Sequence, residues 1–359
     1  GVRLLAELGR CHLMAGSPEL AAPVIEEALT LAERQGRRDV IAELIASKGW
    51  AIATLGRSVE AGALLRGGIV FAEREGHLRA EFRCRMNFSA LVSYEDPLES
   101  LAVARSGYQR ARQLGFETWA ASLASNALTS AFDMGEWPWV EQTSVGLDPD
   151  SADAWRAQVL LPMALIHAHR GQFREAEELL AVFDRAAREA TEDLQILATG
   201  ANARTELALA QGDIAEAVAQ TTIAAVGREV LGREEVVLVT VVALRARNAG
   251  LADRVADLPH GRLGAASSDA AKAAAAAIRG DRDALTALDR AVDRIEALGV
   301  RFSAARLRYA RALLEPDDPG ASHAAAAAAA VFRELGEVRL LHELRPLLPE
   351  APETAEATV

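Results

Sequence analysis

The amino-acid sequence predicts an all-α protein, a right-handed α-solenoid of about eight to nine antiparallel helix pairs. A six-residue motif occurs twice, as Leu31-Ala32-Glu33-Arg34-Gln35-Gly36 and, forty residues later, as Phe71-Ala72-Glu73-Arg74-Glu75-Gly76. Two further glycines, Gly16 and Gly56, keep the same spacing. The chain is rich in Ala and Leu, and its charged residues are mostly Arg and Glu, which are good helix formers. A fixed period of this length is typical of helical repeat arrays.

The first helix pair extends from about Val2 to Gly36. Leucines at helical spacing predict its first helix, and Gly16 is expected to end that helix. Ser17 is then a suitable N-cap for the second helix, and Pro18 suits its first turn. Small residues at regular places, among them Gly9, let two antiparallel helices approach closely while larger side chains fill the gap between them.

Later pairs follow the same plan with different turns. The second pair repeats the small and large positions with Gly49 and Leu65. The third is predicted over about His77 to Gly115, with the glycine-free turn Tyr94-Glu95-Asp96-Pro97. The other turns are predicted at Gly135-Glu136, Gly171-Gln172, Gly212-Asp213, Gly280-Asp281 and Glu315-Pro316-Asp317-Asp318-Pro319.

The predicted solenoid covers residues 1–348, with irregular stretches at about 137–151 and 250–268. The valine-rich segment from Glu234 to Asn248 could suit a strand, but its length and its neighbours favour a buried helix. Residues 349–359 are acidic, contain proline and carry little apolar surface, so we expect a disordered tail.

Composition and charge restrict the possible partners. The formal net charge of -12 argues against a nucleic-acid surface and against an anionic membrane. No apolar run approaches the ~20 residues of a membrane span, and no signal peptide is visible. The two cysteines, Cys11 and Cys84, do not form a disulfide framework, so a reducing cytoplasm fits best.

The sequence carries no recognisable catalytic motif. It contains no P-loop, no dinucleotide-binding glycine motif after a strand and no HExxH pair. His167 and His169 are two residues apart on a helix and point to different faces, which favours structural or surface roles over metal binding. Trp137-Pro138-Trp139 is either an aromatic ligand contact or, as we favour, a plug over the core. We therefore expect no catalytic residue, no cofactor and no metal in this chain.

In a stack of helix pairs the first helix of each pair lines the inner wall. Aligning the pairs on their turn glycines predicts an inner wall of arginines, aromatic residues and small polar residues, as in a peptide-binding groove. The candidate groove residues are Arg10, Glu43, Trp50, Phe82, Arg85, Ser89, Ser125, Thr129, Gln158, Asn202 and Glu206. The alternative is a solvated or self-packed concave face.

The spacing of Leu8, Gly9, Ala21 and Ala28 resembles a tetratricopeptide repeat, although the units are longer than the usual length of about 34 residues. The motifs that end the helix pairs, such as Glu296-Ala297-Leu298-Gly299, resemble those of large bacterial signalling proteins, in which an AAA/STAND-type ATPase precedes such repeats. One branch of those proteins adds an adenylate or guanylate cyclase domain, and the LuxR/MalT-like regulators add a C-terminal helix-turn-helix. The acidic tail without a helix-turn-helix favours the cyclase-type arrangement.

The sequence thus favours a non-catalytic cytoplasmic module that binds a protein, a peptide or a small inducer and regulates an attached or cognate ATPase or cyclase. Because the chain begins at Gly1 rather than Met, we expect it to be part of a longer polypeptide. Three alternatives stay open at this point: a free-standing scaffold, the sensor part of a LuxR-type regulator, and an all-helical enzyme. The enzyme would be a closed toroid with a carboxylate pair in a central cavity.

Overall fold

The computed structural model describes residues 1–144, 157–188, 193–225, 235–257 and 261–349. Within these ranges every regular element is a helix, and consecutive helices pack as neighbours, so the predicted all-α solenoid class is confirmed. The chain divides into two compact units, residues 1–131 and 132–359. A single solenoid over residues 1–348 stays a prediction.

Unit 1 (residues 1–131) consists of stacked helix pairs. Its helices are α1 (Val2–Met14), α2 (Pro18–Arg34), α3 (Arg38–Thr54), α4 (Ser58–Glu75), α5 (Leu78–Val92), α6 (Pro97–Gln113) and α7 (Glu117–Met134), the last of which continues into unit 2 (residues 132–359). The first helices of successive pairs, α1, α3 and α5, pack directly on one another. The predicted turn glycines Gly16 and Gly56 have φ values of 69° and 82°, which few other residues tolerate.

Close approach within each pair depends on the predicted small residues. A Cβ atom on Gly9 would lie 2.7 Å from Cγ1 of Ile25, and one on Gly49 would lie 2.5 Å from Cδ2 of Leu65. Ile25 and Leu65 are fully buried, and burying such a side chain contributes about 1.5–3 kcal/mol. As the sequence predicted, a glycine on the first helix of each of these pairs packs against a large apolar side chain on the second.

Unit 2 begins at the last turn of α7. Its further α-helices are α8 (Trp137–Ser144), α9 (Leu161–His169), α10 (Phe173–Ala187), α11 (Leu194–Gln211), α12 (Ile214–Ala224), α13 (Val236–Ala246), α14 (Ala249–Val255), α15 (Gly261–Ile278), α16 (Asp283–Ala297), α17 (Arg301–Leu314), α18 (Ala321–Leu335) and α19 (Arg339–Leu344). Short 3-10 turns cover Gln158–Leu160 and Arg345–Leu347. The valine-rich segment is the buried helix α13, as predicted.

The stretch 250–268, predicted to be irregular, is largely helical. Helix α14 extends to Val255, and α15 already begins at Gly261. Gly264, Ser267 and Ser268 are buried in α15, so tight packing outweighs the weak helix propensity of these residues. In the other irregular stretch α8 is short, while residues 145–151 and the predicted tail from 350 onwards lie outside the described residues.

The end of the chain returns to the first helices of unit 2. The backbone N–H of Val338 donates to the carbonyl of His169, with an N–O distance of 2.9 Å. Arg170 ion-pairs with Glu141 of α8 and donates through Nε to the carbonyl of Leu335. Helix α19 also contacts α11. Unit 2 is therefore closed on itself by contacts between residues more than 160 positions apart.

Candidate functional site

The predicted groove of unit 1 corresponds to one face of its first helices. We define the A face by the residues Arg10, Glu43, Trp50, Arg83, Met86, Ser125 and Thr129. Arg10, Glu43 and Thr129 are exposed, and the other four are partly exposed. Successive members are seven residues apart on α3, three apart on α5 and four apart on α7, so the members on each helix lie on one side of it.

Helix α5 presents residues one position later than the glycine alignment predicts. Phe82 is fully buried against Phe116, with ring centroids 5.6 Å apart, and Ser89 is fully buried beside α6. Arg85 lies between α4 and α6, where it ion-pairs with Glu73 and Glu81. The third turn has no glycine to fix the alignment, and a shift of one residue rotates the side chains by about 100°.

Arg83 is the one charged residue of the A face that is partly buried rather than exposed. Its Nη2 donates to the hydroxyl of Ser47 on α3 at 2.7 Å, and no carboxylate among the described residues forms an ion pair with it. Burial lowers the pKa of Arg83, and the positive charge of Arg10 lowers it further, whereas Glu43 and Glu7 oppose the shift. A partly buried guanidinium with only a hydroxyl partner is suited to receive an acidic or carbonyl group.

Asparagine side chains fix the spacing of the helices that carry the A face. Asn87 Nδ2 donates to the carbonyl of Ala46 at 3.2 Å, which joins α5 to α3. Asn126 Nδ2 donates to the carbonyl of Met86 and to the hydroxyl of Ser89, which joins α7 to α5. The A face is therefore held in place by polar contacts as well as by apolar packing.

The three predicted groove residues of unit 2 have different surroundings. Gln158 lies in the 3-10 turn before α9 and is partly exposed. Asn202 is partly exposed on α11. Glu206, one turn further along α11, is only 5% exposed and belongs to a buried polar cluster. We define the polar cluster by Asp133, His169, Glu206, Arg306 and Glu337.

Arg306 of α17 is the centre of the polar cluster. Its Nη2 donates to Asp133 Oδ1 at 3.1 Å, and its Nη1 ion-pairs with Glu206. Asp133 also accepts a hydrogen bond of 2.8 Å from the hydroxyl of Ser303. Arg306 is 2% exposed, whereas the Asp133 side chain is 31% exposed. Asp133 therefore has the most exposed side chain of the cluster, although most of it is still buried.

His169 lies between two carboxylates at the inner end of the cluster. Its Nε2 is 3.6 Å from Glu206 Oε2, and its Nδ1 is 3.8 Å from Glu337 Oε1. Glu337 accepts the backbone N–H groups of Leu340 and Leu341 at 2.9 and 2.8 Å, so it caps α19. Since both ring nitrogens face acceptors, a neutral imidazole can donate to only one of them.

Aromatic rings enclose His169. Its ring centroid lies 5.1 Å from that of Phe302, 5.9 Å from Trp137 and 6.0 Å from Phe132. Trp137 is fully buried, stacks on Phe132 and donates through Nε1 to the Phe132 carbonyl, as expected for a plug over the core. His167 is partly exposed, so the two histidines do point to different faces.

Burial governs the protonation of the cluster. Desolvation lowers the pKa of His169, against the opposing effect of Glu337, while Arg306 lowers it further. Desolvation also raises the pKa of Asp133, against the effect of Arg306 and Ser303. With a neutral histidine, three carboxylates face one guanidinium. A proton therefore reduces the buried negative charge, but on His169 it also adds a charged group inside the fold.

The sequence indicated Glu206 and His169 separately, but it did not predict that the two side chains lie close together. Glu206 and Arg306 lie at buried positions of α11 and α17, which is where helical periodicity could have indicated charges in the interior. Glu206 and Glu337 are buried and engaged, so they do not form an open carboxylate pair. Among the described residues no group of His, Cys, Asp and Glu is arranged to hold a metal ion, and no helix has the length and apolarity needed to cross a bilayer.

Neither a known protein-family model nor a curated protein sequence matches this chain. The resemblance to the repeats of bacterial signalling ATPases therefore rests on the residues that carry it.

Proposed function

We propose that this chain is a non-catalytic interaction module and that the A face of unit 1 binds an extended segment of a protein partner. The observation that carries the proposal is Arg83, a partly desolvated cation without a carboxylate partner among the described residues, on the same face as the partly exposed Trp50 and Met86. An arginine beside exposed aromatic and Met side chains is the composition enriched at the centres of protein interfaces.

The repeat resemblance extends this proposal to a signalling role, in which the bound segment regulates an attached or cognate ATPase or cyclase. A free-standing scaffold and the sensor part of a LuxR-type regulator are the alternatives. The coding sequence on both sides of this chain distinguishes them. A scaffold requires no nucleotide-binding domain in the same polypeptide or in a partner encoded with it, whereas a LuxR-type regulator requires a helix-turn-helix downstream.

Selection of a random displayed peptide library against the whole chain tests the A face. We expect selected peptides to lose roughly tenfold or more in affinity with Arg83→Ala and with Trp50→Ala, because each removes an anchor. The matched control is Arg66→Ala, which removes an exposed arginine of α4 that ion-pairs with Glu99. Peptides that bind all three variants equally would place the interface elsewhere and would contradict the proposal.

A further inference from the structure

The polar cluster lies where the end of the chain meets the first helices of unit 2. Asp133 comes from α7, His169 from α9, Glu206 from α11, Arg306 from α17 and Glu337 from the link between α18 and α19. The adjacent backbone bond from Val338 to His169 is part of the same contact. The cluster therefore joins the end of the chain to the first helices of unit 2.

We propose that closure of unit 2 is linked to protonation, with His169 as the group that senses pH and the segment from Glu337 to Leu344 as the part that is released. His169 is enclosed by aromatic rings and by two carboxylates, and the segment contributes Glu337 and the backbone bond from Val338 to this enclosure. When the segment leaves, the imidazole meets water and regains its ordinary basicity.

The direction of the effect follows from the groups that face His169. Glu206 approaches from α11 and Glu337 from the α18–α19 link, while Arg306 of α17 stands behind Glu206. The neighbouring Arg170, which follows the last residue of α9, is directed to Glu141. Desolvation dominates and lowers the pKa of His169 in the closed state below its ordinary value of 6.5. The open state therefore binds the proton more readily, and acidification below about pH 6.5 favours opening.

Protonation of Asp133 affects closure in the opposite direction to protonation of His169, and a substitution can separate the two contributions. Burial raises its pKa, so the closed state retains a proton on Asp133 to a higher pH than the open state does. That contribution favours closure at low pH and is lost as the pH rises through the raised value. The Asp133→Asn variant removes it, and opening on acidification should then be more pronounced.

Hydrogen exchange followed by mass spectrometry on the whole chain, corrected for intrinsic exchange rates, tests the proposal. Between about pH 7.5 and 5.5 we expect protection of residues 337–344 and 161–169 to fall by roughly threefold or more, since one pKa unit corresponds to tenfold. His167→Gln, which changes the partly exposed histidine, should behave like the wild type. His169→Gln should abolish the pH dependence, whatever its absolute stability.

Retention of the wild-type pH dependence in His169→Gln, or a flat profile in the wild type, would overturn the proposal. If His169→Gln does not fold, the wild-type histidine rings can be titrated by NMR. The pKa of the His169 ring should then lie below its ordinary value of 6.5, and an equal or higher value would also overturn the proposal. These readouts do not involve the A face, so their failure is distinguishable from failure of the proposed function.

Discussion

The two units place their charges differently. Residues 1–131 contain 15 basic and 15 acidic side chains, whereas residues 132–359 contain 24 basic and 36 acidic ones, so unit 2 carries the whole net charge of -12. Among the described residues, unit 1 buries one charged side chain, Glu81. Unit 2 buries His169, Glu206, Arg306, Arg311 and Glu337.

This difference corresponds to two ways of stabilising helix pairs. In unit 1 each pair contacts its neighbours through small residues and apolar side chains, as in a one-dimensional stack. In unit 2 the last helices also bond to the first, so separated parts of the sequence depend on one another. We therefore expect unit 1 to exchange amide protons progressively from its first pair, and unit 2 to lose protection as a whole.

The largest expected effect is that of Arg306→Ala. It leaves Asp133 and Glu206 without their cation, and breaking a buried ion pair costs about 3–5 kcal/mol. The matched change in unit 1 is Arg66→Ala, which removes an exposed ion pair worth about 0–1 kcal/mol. Urea unfolding combined with hydrogen exchange should assign the loss to residues 132–349. Equal losses in the two variants would remove the distinction between the units.

The next effect concerns the close helix approach in unit 1. Gly49→Ala places a methyl group 2.5 Å from Leu65 Cδ2 and should cost about 1–3 kcal/mol through overpacking. Gly62→Ala is the control, because no atom lies within 4 Å of the added methyl group. That variant should gain about 0.5–1 kcal/mol, since alanine is the better helix former. If both substitutions stabilise unit 1, the close approach is not what fixes the pairs.

A smaller effect is expected at the third turn of unit 1, which has no glycine. Asp96 Oδ1 accepts the backbone N–H of Glu99 at 3.0 Å and caps α6. Asp96→Ala should cost about 1 kcal/mol, and Asp96→Asn should cost much less because asparagine also caps well. Thermal unfolding of the two variants measures the difference. Equal stability of Asp96→Ala and Asp96→Asn would show that a side-chain oxygen at position 96 does not stabilise the turn.

The fold class followed from features that are local in the sequence. Turn glycines and the Gly49–Leu65 type of contact repeat with a fixed period, so the pairs can be located from the sequence. The orientation of α5 did not follow, because its pair turns at Asp96 and offers no glycine for alignment. The polar cluster did not follow either, because Asp133 and Arg306 are 173 positions apart and no local pattern joins them.

The smallest expected effect separates the units by pH. Glu75 of unit 1 has a lowered pKa because Arg38 donates a hydrogen bond to it, with Nε 2.7 Å from Oε2. Its contribution to stability is full above the ordinary value of 4.5 and is lost as the pH falls through the lowered value. The proposed loss in unit 2 begins at a higher pH, below about 6.5, where His169 starts to bind a proton in the open state.

Unfolding of the wild type and of Glu75→Gln by urea should therefore differ slightly at about pH 6 and converge at about pH 3, with hydrogen exchange assigning the difference to unit 1. Salt at about 1 M should also reduce the difference, because the Debye length is then about 3 Å. A difference that persisted in acid would mean that Glu75 stabilises unit 1 by packing rather than by its charge. The exposed charges of unit 1 would then not account for a loss of stability in acid, and the comparison with the buried charges of unit 2 would fail.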